Sequence, residues 1–262
     1  MTTDLRTAYR TVDDVIHGLG RIEQHFLARR DRRGVFATAY LEITKAIERS
    51  RTDGGFQDSR WTARYLVRFA NLYRAALLDY EEGRGARVPK AWRISFDAAR
   101  ADTGLVIQHL VLGINAHINH DLAIALHEVG IDPERAKRYA DHAQVNLILE
   151  RSTAGMKHRV AALYAPILLR LDRAVGRLDD DITSFSIPKA REHAWAFAVA
   201  LAGTRSEGDR ALLRRALDDQ SAVLARMVLA PPTRHPLFLN TVRFVERLDS
   251  LANRVPRTFS PI

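Results

Sequence analysis

The run His109-Leu-Val-Leu-Gly-Ile-Asn-Ala-His-Ile-Asn-His-Asp-Leu-Ala-Ile-Ala-Leu-His127 carries apolar side chains on nearly every side of a helix. At about 100° per residue, Val111, Ile114, Ile118, Leu122 and Ala125 cover one side. Leu112, Ala116 and Ala123 occupy a second, and Leu110 and Ile124 a third. A helix that is apolar nearly all round lies in the interior of its protein, with other helices packed about it. The same run holds Asn115, His117, Asn119, His120 and Asp121 within seven residues. Buried on such a helix they need partners, because an imperfectly paired polar group costs about 1–3 kcal/mol.

On both sides of this run the helical period continues. Phe36, Tyr40, Ile43 and Ile47 keep the three-and-four spacing, as do Trp61, Tyr65, Phe69, Leu72 and Tyr73. Thr52-Asp-Gly-Gly is a turn between them, with Ser59 as the expected cap of the second. Pro89 suits the first residue of a helix carrying Trp92 and Phe96. The central helix is expected over about 103–129, capped by Asp102 and stopped by Gly130. Asp132-Pro133-Glu134 then reads as cap, first residue and acidic first turn. Further helices are expected at about 8–30, 133–152, 156–178, 188–203, 207–228 and 236–252. No alternating run of strand length stands out. The expectation is a single all-α domain over residues 1–262, with about ten helices around the buried central one.

Composition narrows the chemistry. Apolar residues make up 47% and charged residues 27% of the 262, ordinary for a globular chain. The absence of cysteine excludes disulfides, iron–sulfur clusters, zinc–thiolate sites and thiol nucleophiles. The net charge of +9 comes almost entirely from Arg, since only Lys45, Lys90, Lys137, Lys157 and Lys189 are Lys. These arginines are spread among acids, as in Glu134-Arg135 and Glu150-Arg151, so no basic stripe points to nucleic acid. The longest apolar stretch, Ala194 to Ala202, is about half of what a membrane span requires. Met1-Thr-Thr-Asp-Leu-Arg has no signal-peptide pattern, and a cytoplasmic location is expected. Phosphate-binding loops, nucleophile elbows and di-iron Glu-x-x-His pairs are missing, which disfavours nucleotide, α/β-hydrolase and oxygenase chemistry.

The chemistry is therefore sought on the central helix. His117 and Asp121 are four residues apart and rise from one face, with His120 beside them and Gly113 one turn before, leaving room. An imidazole and a carboxylate so placed serve as ligands of a divalent metal, or as a base and its orienting acid. They serve equally in a buried hydrogen-bond network that only holds helices in register. The candidate catalytic residues are His117, Asp121, His120 and Asn115. The candidate metal ligands are His117, Asp121, His142 and Glu150, zinc being the expected ion, because His142, Asn146 and Glu150 form a stripe on the next helix. Asp141, beside His142, points elsewhere.

Two resemblances bear on these residues. Asn115-Ala-His-Ile-Asn-His-Asp-Leu122 resembles the Asn-Ala-His-Ile-x-x-Asp-Leu hallmark of a bacterial family of unknown function. The aromatic segments Trp61 to Tyr73 and Pro89 to Phe96, with Ala194-Trp195, resemble it too; the likeness implies a helical fold and brings no activity. The spacing His117-x3-Asp121-x5-His127 is similar to part of the ligand pattern of the zinc-dependent phospholipase C and P1 nuclease group, which are all-α phosphoesterases. That pattern continues with His-x3-Glu, where this chain has His142-x3-Asn146 and Glu150 one turn later. The group's N-terminal Trp ligand and the Pro before its third ligand are missing here.

Three readings of function follow. The first is an intracellular enzyme with a His/Asp site, a metal-dependent hydrolase of a phosphoester-like small molecule in which the metal supplies hydroxide. The second is a metal-free cyclase or isomerase of specialised metabolism with His117 as base. The third is a non-catalytic helical binding or scaffold protein. Oligomeric state is not legible.

Overall fold

The computed structural model describes residues 5–166 and 186–230, and among them every regular element is helical. Helix α1 is Val12–Arg29, α2 is Arg33–Thr52, α3 is Ser59–Glu81 and α4 is Lys90–Arg100. The rod α5 has three continuous parts, the α-helical Val106–Asn115, a π-helical turn Ala116–Asp121 and the α-helical Leu122–Val129. After it come α6 (Arg135–Tyr164), α7 (Ile187–Gly203) and α8 (Glu207–Leu229). With α5 taken as one rod, the described residues hold eight helices and one short 3₁₀ turn, Gly85–Arg87. The helix expected at about 236–252, and the end of the one expected to reach 178, lie outside the described residues.

The rod is enclosed as its composition requires. Leu112, Ala116, Leu122, Ala123, Ala125 and Leu126 are completely buried. Helices α2 and α4 pack on its first half, α3 and α7 on its second, and α7 and α8 flank the π turn. Two large apolar clusters meet along it. One joins Phe26, Phe36, Tyr73 and Trp92; the other joins Trp61, Phe69, Leu122 and Trp195. No helix among the described residues is long and apolar enough to cross a membrane.

Polar ties set the register of the outer helices. Thr11 and Asp14 form a reciprocal cap on α1. Asn71 on α3 pairs with both backbone groups of Tyr9 at 2.9 Å. Asp218 on α8 accepts from the Lys90 backbone N–H at 2.7 Å and so caps α4 from a distance.

Four helix ends differ from the sequence reading. The cap of α3 is Asp58, which accepts from the Trp61 N–H, and Ser59 is already helical. Asp102 ends α4 instead of starting α5: its backbone is left-handed (φ 49°), and the next N–H returns to the Ala98 carbonyl. At the start of α5 the Gln108 side chain accepts from the Leu105 N–H. Asp132 is occupied by Arg135 at 2.8 and 3.0 Å, and α6 begins at Arg135 without a side-chain cap. The expected break near 152–156 does not occur. Met156, Val160 and Tyr164 are buried in a cluster with Val35 and Ala39 of α2, and this burial carries the helix through Gly155.

Candidate functional site

The polar patch of α5 coincides with the π turn Ala116–Asp121. Bonding from i to i+5 puts more residues into a turn than the α-helical 3.6, so residues four apart come closer to alignment. His117 and Asp121 gain by this. His117 Nδ1 lies 3.0 Å from one Asp121 oxygen, and His120 Nδ1 lies 2.8 Å from the other. Trp92 on α4 donates its indole N–H to Asp121 at 2.8 Å. Three donors therefore converge on one carboxylate that is 1% exposed.

Asn115 and Asn119 belong to a different network. Asn119 donates to the Asn115 side-chain oxygen at 2.9 Å, and Asn115 donates to the Ser221 carbonyl on α8 at 2.8 Å. They hold α8 to the rod and do not join the His117 cluster.

An ionised Asp121 fixes the tautomer of its neighbour, since Nδ1 of His117 must carry the proton it donates. Its Nε2 is then an open lone pair, and this atom is buried with no hydrogen-bond partner. The imidazole is clamped by rings. Phe69 stacks on it at 3.5 Å between centroids and 7° between planes, and Tyr40 meets it edge-on at 4.5 Å. A largely apolar cavity of about 80 Å³ adjoins it, lined by Tyr40, Tyr65, Phe69 and Ile118 with His117 and Arg191. The space above His117 expected from Gly113 is filled by Phe36, whose Cβ and nearest ring atoms lie 2.4–2.6 Å from where a Gly113 Cβ would stand.

The electrostatics follow from burial. Desolvation pulls the His117 pKa down, and the bond to Asp121 only partly offsets it. For Asp121 burial acts upward, but hydrogen bonds and charge from the two histidines outweigh it, and the carboxyl is held below its ordinary range. Tyr40 stays a neutral phenol because burial raises its pKa strongly.

The four residues put forward as metal ligands are not brought together. His142 is turned to Arg191 of α7: its Nδ1 accepts from the guanidinium and its Nε2 donates to the Arg191 carbonyl, both at 3.2 Å. Both ring nitrogens are thus used. Asn146 accepts from Arg191 at 2.7 Å, and Glu150 at the end of the stripe is exposed. Asp121 spends both oxygens on N–H donors. Among the described residues no three His, Cys, Asp or Glu side chains gather as a metal site. His127, the third member of the phospholipase-like spacing, makes no bond to Asp121. Asp141 points away from the cavity, as expected, and accepts the Gln57 and Asp58 backbone N–H groups at 2.7 Å.

Two site residues escaped the sequence reading. Trp92 read only as a packing aromatic. Arg191 carried a usable signal, because it shares the face of α7 on which Ala194, Trp195 and Ala198 are buried.

Two of the buried histidines, His117 and His142, make stability pH-dependent. Burial drives the His142 pKa well below 6.5, with the Arg191 charge adding to the effect, so both His117 and His142 are neutral when folded. Below pH 6.5 the unfolded chain takes up protons that the folded chain refuses, and stability falls. The Asp121 contribution is present above pH 3.8 and is lost only lower, as pH falls through its depressed value. Thermal melts from pH 8 to pH 5 are expected to show a decline whose slope is at most about 1.4 kcal/mol per pH unit for each of these two histidines. His142→Gln should make that slope shallower. A flat profile would mean that neither imidazole is buried neutral.

No curated protein and no solved structure matches the chain. Residues 12–231 do match a family model, in line with the resemblance to a family of unknown function, and the chain belongs to that family of unknown function, DUF5995.

Proposed function

We propose that the chain is an enzyme acting on a small molecule with an apolar body, with His117 as general base and Asp121 as the group that orients it. One observation carries this reading: a buried imidazole nitrogen, stripped of partners and holding a lone pair, beside an apolar cavity. Asp121 holds the Nδ1–H and stabilises the imidazolium formed when Nε2 takes a proton from the substrate. The Phe69 stack and the Tyr40 edge keep the ring from turning. Because burial lowers its pKa, His117 is unprotonated at neutral pH and ready to accept. Isomerisation or cyclisation through proton abstraction is the matching reaction class. A divalent metal in this cavity would find one imidazole nitrogen and no second His, Asp or Glu among the described residues that line it, so metal-assisted hydrolysis has less to stand on.

The test is deuterium incorporation from heavy water into a panel of small neutral ketones and short-chain carboxylates, followed by NMR. Wild-type protein is expected to speed exchange at the acidic carbon of at least one compound. His117→Ala should lower that rate about 10²–10⁴-fold. Equal exchange by the wild type and the variant would remove His117 from the chemistry.

A further inference from the structure

Arg191 is only 2% exposed, lines the same cavity as His117, and pairs with no carboxylate among the described residues. Its hydrogen bonds go to neutral acceptors: the Asn146 side-chain oxygen at 2.7 Å, the His142 carbonyl at 2.6 Å and the His142 ring at 3.2 Å. A buried guanidinium without a counter-charge is expensive to desolvate, and helix register alone does not call for a cation here. A Gln or Met could tie α7 to α6 at lower cost. Apart from His117 and Thr153 the rest of the wall is apolar or aromatic, and the Tyr65 hydroxyl is a further neutral partner of Arg191.

We infer that the cavity takes a small carboxylate with a short apolar body, its anionic end meeting Arg191 and its carbon skeleton lying toward His117. The inference rests on the reading of this cavity as a substrate site and adds the chemical class of the ligand. Size supports a small body: about 80 Å³ is roughly half of an apolar cavity of ~150 Å³ that accepts benzene. Arginine suits the role because its planar fork matches a carboxylate and keeps its charge in a dry site. With the carboxylate so anchored, the carbon next to it is the one presented to an open imidazole nitrogen.

The probes are butyrate and its neutral isostere butyramide, titrated into the full chain by ligand-observed and protein-observed NMR. Wild-type protein is expected to bind butyrate at least tenfold more tightly than butyramide. Arg191→Gln should reduce that ratio to about one while leaving butyramide binding in place, and Arg191→Lys should keep part of the preference. Equal binding of the two probes to wild-type protein overturns the inference whatever the variants do. So does absence of butyrate binding at tens of millimolar, or a preference that survives in Arg191→Gln. The two readings fail separately. Butyrate preference without deuterium exchange sinks the base and leaves the anion site, whereas exchange into neutral ketones without butyrate preference does the reverse.

Discussion

Asp121→Ala is expected to lower the melting temperature by about 8–16 °C, corresponding to roughly 4 kcal/mol in a domain of this size. The alanine would leave three buried N–H donors, on His117, His120 and Trp92, with no acceptor. Each orphaned donor costs about 1–3 kcal/mol, and the hole left by the carboxylate adds to that. Asp121→Asn separates the fold from the chemistry. The indole of Trp92 can only donate, so the amide oxygen takes the position that Trp92 and His117 share, and the NH₂ meets His120, which must then switch tautomer and place its proton on Nε2. His117 keeps its Nδ1–H and its open Nε2, but the negative charge that stabilises its imidazolium is gone. Asp121→Asn should therefore cost only about 1–2 kcal/mol in melting experiments yet slow deuterium exchange well below the wild-type rate, because the carboxylate charge beside His117 is lost. An alanine variant as stable as wild type would mean that the three donors do not converge on Asp121. An asparagine variant with full exchange would mean that the Asp121 charge does not support His117 as a base.

The buried rod was legible because nothing else explains apolar residues on all sides of one helix, and α7 and α8 followed from periodicity within a residue or so. The site was only half legible. The sequence packs Asn115, His117, Asn119, His120 and Asp121 side by side, but a helical wheel does not say which neighbour each one meets. The amides face Ser221 on α8, whereas the carboxylate faces Trp92 on α4. Those partners come from residues 29 to 106 positions away, and no local spacing reports them. The π turn is likewise invisible to a fixed 100° step. The stripe on α6 faces one partner, Arg191, as far as Asn146. It failed at Glu150, where the end of the stripe reaches solvent, and its object proved to be a guanidinium rather than a metal. Arg191 was missed because arginine is so frequent in this chain that one more on an alanine-rich helix drew no notice.

Gly113 shows how one substitution changes sign with its surroundings. In a helix interior, Gly→Ala ordinarily stabilises by up to about 1 kcal/mol through the backbone entropy of the unfolded chain. At Gly155 nothing lies within 4 Å of the added Cβ, and Gly155→Ala should raise stability by that amount. At Gly113 the same methyl meets the Phe36 ring at 2.4 Å, well inside any tolerable contact. That ring has little room to retreat, with Tyr73 and Trp92 against it at 5.1 and 5.2 Å and His117 at 5.5 Å. Overpacking of about 1–3 kcal/mol therefore exceeds the propensity gain, and Gly113→Ala should lower the melting temperature by several degrees. Because Phe36 also borders the cavity, Gly113→Ala is expected to disturb His117 and weaken butyrate binding along with stability. If both glycines respond to alanine with the same sign, Phe36 does not occupy the space over Gly113, and the enclosure of His117 by rings is wrong at that wall.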